Sequence, residues 1–203
     1  MPLTIAVLCS LLLLPISVFG EGAAAPTAIF TSFDRQPSTR AVAAMKQEVE
    51  SLMRPAGLVI GWRDLRAPRV EETFSDLVVV KFRGKCHMEG IQLLFSELGP
   101  ESEPGPLGST KMTDGQMLPF SELDCDRIRR SIAPLTIGHS ADAREALLGR
   151  ALGRVLVHEL FHIFANTCLH GNHGVAKTSH SRKDLVADRF ELDAKDSKRM
   201  QRR

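Results

Sequence analysis

From Asp142 to about Ala165, apolar residues return at helical spacing through Leu148, Leu152 and Val155, and the run ends in His158-Glu159-Leu160-Phe161-His162. Asp142 and Glu145 form a capping-box-like start for this long helix. On a helix, residues four apart leave the same face one turn from each other, so both imidazoles can reach one ion. A zinc ion takes ring nitrogens at roughly 2.0–2.1 Å, which that separation allows. Glu159 is turned by about 100° from His158. It therefore lies beside the metal rather than on it, where a carboxylate can hold a proton from water.

Zinc used for catalysis takes three protein ligands and keeps a fourth position open. Five of the seven histidines fall between positions 158 and 180. His170 is the expected third ligand and His173 the alternative, followed by a carboxylate from Asp184, Asp188 or Glu191 on a helix-like segment from Asp184 to Leu192. A straight helix would carry His170 about 12 Å beyond His162, out of reach. The helix must break first, and Asn166-Thr167 is the expected place because Asn tolerates the left-handed conformation. His170-Gly171-Asn172-His173-Gly174 then reads as a turn that folds back under the metal.

The remainder frames this helix. Ser38 caps a helix starting at Thr39, with Val42, Met45, Val49, Leu52 and Met53 on one face and Pro55-Ala56-Gly57 as its stop. Strands are expected at Leu58 to Trp62 and Leu77 to Phe82, and two extended pieces at Leu107 to Met112 and Met117 to Leu123 flank an Asp114-Gly115 turn. Gly99 to Gly108, with three prolines and three glycines, reads as loop. Helix, strands, then a buried helix define a single α+β domain with a small mixed sheet, over residues 38–193. Residues 21–37 read as a leader, and the basic stretch 194–203 as a frayed, disordered tail.

Leu3 to Val18 is almost wholly apolar but short for a membrane span, and small residues follow it. Residues 1–20 are therefore expected to be a signal peptide cleaved before Glu21, giving a secreted or periplasmic protein with no stable membrane insertion. An uncleaved N-terminal anchor is the alternative, since no Lys or Arg precedes the apolar run. Export favours paired cysteines. Cys86 and Cys125 each end a strand-like segment and are the expected pair, leaving Cys168 odd and either buried or capped. His87, beside Cys86, is expected on the surface, His139 in a polar loop and Trp62 in the core. The formal charge of +2 singles out no partner, and with aromatics at 5% the chain lacks the basic, aromatic-rich stripe of a nucleic-acid binder.

With these residues in place, the chain resembles the zincin metallopeptidases, and more loosely their metzincin branch, whose pattern is His-Glu-x-x-His-x-x-Gly-x-x-His. It is more similar to small exported bacterial zincin-like proteins with a third His at wider spacing in a His-x-x-x-Gly turn. The resemblance implies peptide or protein substrates, a zinc-activated water and Glu159 as general base. Ala165 stands in place of the metzincin glycine, Val175-Ala176 in place of a Met-turn, and the chain has no tyrosine. His173, His180 or Arg182 would then steady the oxyanion, and His180 shares with His173 the place of alternative ligand. The segment Leu107 to Met112, as a sheet edge beside the cleft, would pair with substrate backbone. The competing readings are a zinc-binding protein without turnover and a zinc hydrolase of a non-peptide amide or ester.

Overall fold

A computed structural model describes residues 25–67, 71–91 and 105–201. The expected signal peptide lies outside them, as does most of the Pro/Gly-rich loop. Five strands make one mixed sheet: β1 (Thr27–Phe33), β2 (Ile60–Asp64), β3 (Asp76–Arg83), β4 (Gly108–Thr113) and β5 (Gln116–Asp124), in the order β2-β1-β3-β5-β4. β1, β2, β3 and β5 run parallel; β4 is antiparallel to β5 and forms one edge. Five α-helices accompany them: α1 (Thr39–Met53), α2 (Cys125–Ile132), α3 (Ala141–Phe164), α4 (Arg182–Val186) and α5 (Ala194–Met200). The chain is thus a single α+β domain. No helix among the described residues is long and apolar enough to cross a membrane.

The sheet buries one face. Along β3, Val78, Val80 and Phe82 are sealed from solvent while Leu77, Lys81 and Arg83 are not, the period-two signature of a one-sided sheet. These residues join Ile29, Leu123 and the buried sides of α1 and α3 in one core. α1 begins where expected, Ser38 Oγ accepting from the Ala41 N–H, and ends in a 3₁₀ turn closed by left-handed Gly57. α1 and α3 form the closest helix pair. A Cβ at Gly149 would meet the Ala41 carbonyl oxygen at 2.3 Å, so a glycine there sets how near the two backbones come.

Several expectations are corrected. The supposed leader carries β1, an interior strand paired on both sides, with Ala28 and Ile29 fully buried. Its alanines and threonines resemble linker composition, yet small and β-branched residues suit a strand flanked by two others. The supposed tail contains α5, capped by Asp193 and anchored by Met200 in the core, with Arg199 over the Phe161 ring at 5.2 Å. α3 is capped by Ser140, not Asp142, and Glu145 instead accepts from the Met88 N–H at 2.7 Å. The helix-like stretch Asp184 to Leu192 shrinks to α4. α2 was not anticipated: it is short and highly charged, and its apolar face is only Cys125, Ile128 and Ile132.

Trp62 is only half-buried and donates from Nε1 to Glu50 Oε1 at 2.8 Å. Cys86 and Cys125 form a disulfide, with Cα atoms 5.0 Å apart where β3 and β5 end side by side. Cys168 is a free, exposed thiol, because the turn that carries it lies outside the core.

Candidate metal centre

α3 runs through the core and is enclosed on nearly all sides from Leu148 onward, as a helix apolar all round should be. Its last turns bring His158 and His162 together, Nε2 to Nε2, at 3.1 Å. Each Nδ1 faces a carbonyl oxygen: Val175 at 2.8 Å for His158 and Thr167 at 2.7 Å for His162. A carbonyl only accepts, so both Nδ1 atoms carry the proton and both Nε2 lone pairs point at each other. This is how backbone oxygens orient imidazoles around a metal.

The backbone after α3 supplies the third imidazole. Asn166 is left-handed (φ 42°), and its Oδ1 accepts from the Met117 N–H at 2.9 Å, tying the break to the β4–β5 hairpin. Gly171 N–H then donates to the Ala176 carbonyl at 2.6 Å, and Val175 N–H to that of Glu191 at 3.1 Å. The returning chain stacks the His170 ring on that of His158 at 5.2 Å and sets it edge-on to that of His162 at 4.8 Å. His158, His162 and His170 each offer a ligand atom, and these lie within 4.8 Å of one another.

The donor set fits a metal ion. Two lone pairs facing each other at 3.1 Å repel unless a cation lies between them, and neutral imidazole nitrogen is a preferred ligand of zinc and its neighbours. Burial works in the same direction. It pushes His158 down to about 4, against the help of the Val175 carbonyl, and also lowers His162.

The other candidates lie elsewhere. His173 is exposed and outside the group. Asp184 takes Lys177 at 2.8 Å and closes the capping box of α4 with Ser181, while Asp188 pairs with Arg150 at 3.1 Å. Glu191 contributes its carbonyl, to Val175, and its side chain is not among the grouped ligands. His180 is not a fourth ligand of the group. Its ring lies 5.3 Å from both the His158 and Phe190 rings, and both ring nitrogens are sealed from solvent. Burial lowers its pKa.

Glu159 is 4% exposed, and its Oε2 accepts from Thr110 Oγ1 on β4 at 2.7 Å. Burial pushes the carboxyl up to about 7, against the lowering effect of that hydroxyl. β4 approaches closely: a Cβ on Gly108 would lie 2.8 Å from Glu159 Oε1, so only glycine fits there unstrained. Thr110, Gly108 and the carbonyls of Thr167 and Val175 were not singled out from the sequence. Thr110 and Gly108 left a trace there as members of the expected edge segment, Thr167 as part of the expected helix break and Val175 in the stretch that stands in place of a Met-turn.

His158 and Glu159 floor a cleft of about 750 Å³. One wall is Gly105 to Gly108, leading into β4; the other is Thr178 to Lys183, with His180 and Arg182 in it. Comparison with protein-family models, with curated proteins and with solved structures finds no match. Any functional reading therefore rests on the geometry of the site and on the resemblance carried by its motif.

Proposed function

We propose that the protein is a metallopeptidase of zincin type, that zinc is the ion held by His158, His162 and His170, and that Glu159 is its general base. The observation that carries this reading is the placement of Glu159, a buried carboxylate that lines the same cleft as His158, one of the three grouped imidazoles, with one oxygen committed to Thr110. Metal binding alone does not require such a carboxylate. Bound zinc supplies Lewis acidity toward water and toward a carbonyl oxygen.

The chain's own residues do the rest. Glu159 Oε2 is held by Thr110, which leaves Oε1 to take a proton from the attacking water and return it to the departing amine nitrogen. Among the described residues β4 has a neighbour on one side only, so its outer edge offers backbone groups to an extended peptide. The apolar residues 3–18 support export as part of the same reading.

Metal content of the purified protein, beside that of His170→Ala and His173→Ala, tests the site. About one zinc per chain, lost with His170 and kept with His173, is expected; a wild-type chain that takes up no zinc refutes the reading. Glu159→Gln then tests the chemistry: it should keep the metal and abolish peptide hydrolysis. If the wild type holds zinc but hydrolyses no peptide, the protein is a metal-binding module or acts on another amide or ester.

A further inference from the structure

The cleft beside the three histidines is strongly biased in charge. Arg127, Arg182 and Lys183 line it, and among the described residues Glu159 is its only acid. Arg127 is already partnered with Asp124, at 3.5 Å. Arg182 and Lys183, by contrast, form no ion pair among the described residues; the nearby Asp184 is engaged by Lys177 and by the Ser181 N–H, both at 2.8 Å. Hydroxyls of Thr178 and Ser179 on the same wall add neutral hydrogen-bonding groups.

The platform carrying these two cations is built in place. A helix as short as α4 does not hold itself together in water. It is fastened to α3 by two arginines. Arg154, 1% exposed, donates to the Asp184 carbonyl at 2.5 Å and to the Ala187 carbonyl at 2.6 Å. Arg150 donates to the Val186 carbonyl at 2.9 Å. Arg154 lies one turn before His158 on the same helix, so the helix that presents the ligands also fixes Arg182 and Lys183 beside them. Charges set on a rigid support need little further ordering to meet a ligand.

From this arrangement we infer that the cleft selects peptides carrying a carboxylate near the bond to be cut, and that Arg182 and Lys183 are the specificity-determining residues. The inference deepens the peptidase reading and rests on it for the word "cut", but carboxylate recognition is testable by binding alone. A guanidinium carried on that anchored backbone meets a carboxylate through paired N–H donors, and the two cations together raise the local concentration of anionic chains. The carboxylate can be an Asp or Glu side chain or a free C-terminus; both present the same two oxygens.

The test is fluorescence anisotropy with short dansyl-labelled peptides on the purified Glu159→Gln protein, which holds a peptide without turning it over. Three probes suffice: a Glu-containing peptide with an amidated end, its Gln counterpart with an amidated end, and that Gln peptide with a free C-terminal carboxylate. The Glu or the free-carboxylate probe, or both, should bind roughly tenfold more tightly than the neutral one at low salt, and the advantage should shrink as salt screens the charges. Which of the two is favoured tells the side chain from the terminus. Arg182→Glu with Lys183→Glu should erase or invert the preference while the metal content stays unchanged. Equal binding of all three probes, or a preference that survives the double reversal, overturns the inference. Wild-type protein under a chelator repeats the measurement should Glu159→Gln fold poorly. Cleavage without charge preference would sink this inference and leave the peptidase reading standing; acidic binding without cleavage would do the opposite.

Discussion

Thr110 Oγ1 donates a hydrogen bond of 2.7 Å to Glu159 Oε2, joining the edge strand to the carboxylate of the metal-site helix. The same hydroxyl lies 3.0 Å from Ser121 Oγ on β5, so its position is fixed from two sides. Thr110→Val keeps the shape and removes the donor. If Glu159 is the general base proposed above, misplacing it loses part of a contribution of about 10²–10⁴, so peptide hydrolysis should fall by roughly tenfold or more with metal content unchanged. Because the hydroxyl lowers the Glu159 pKa, the acid limb of the pH–rate profile should also move upward. An unchanged rate and profile would show that Thr110 does not orient the base.

Arg154 Nε donates to Glu48 Oε1 on α1 at 2.7 Å, within the network that also holds α4. Arg154→Met should cost about 3 kcal/mol, the lower end for breaking a buried pair, because Glu48 remains partly solvated. Chemical denaturation measures it. Hydrogen exchange should quicken at residues 178–187, while α1 backbone amides far from Glu48 stay protected. Uniform loss of protection would mean that Arg154 supports the core at large rather than the cleft wall.

The ionisation of Glu159 gives a pH-dependent prediction for chelated protein. The folded carboxyl titrates near 7, above its ordinary 4.5. Below 4.5 both folded and unfolded states are protonated and the group costs nothing. Between 4.5 and 7 the unfolded carboxyl ionises while the folded one keeps its proton, so stability falls across that window by up to about 3 kcal/mol and levels off above 7. Glu159→Gln mimics the neutral form. It should therefore be more stable than the wild type at pH 8 and no different below about pH 4.5, in thermal unfolding with the metal removed. The lowered His158 is common to both proteins and cancels. A gap independent of pH would show that the carboxyl is not buried as described.

The Cys86–Cys125 disulfide closes a loop with a sequence separation of 39. The loop-entropy relation for that span gives about 4 kcal/mol. Replacing both cysteines by Ala should lower the unfolding midpoint accordingly, with zinc content retained in the native protein at low temperature. A midpoint that does not move would mean that the bond constrains little in the unfolded chain.

The sequence alone determined the parts whose causes are local. The helical period ending in His158 to His162, the Ser38 cap, the Asp114-Gly115 turn with both residues at positive φ and the break at Asn166 follow from short-range rules of spacing and backbone freedom. Between His170, the expected third ligand, and His173, its alternative, the spacing left the choice open, and the folded turn groups His170 with the first two imidazoles. Tertiary structure decided what composition disguised. Thr27–Phe33 is a strand only because β2 and β3 pair on either side of it, and Ala194–Met200 a helix because Met200 finds the core. It also decided the surroundings of the site. Glu159 meets Thr110 across 49 residues, and Arg154 meets Glu48 across 106. Such contacts depend on how sheet and helices stack, and no spacing along the chain encodes that.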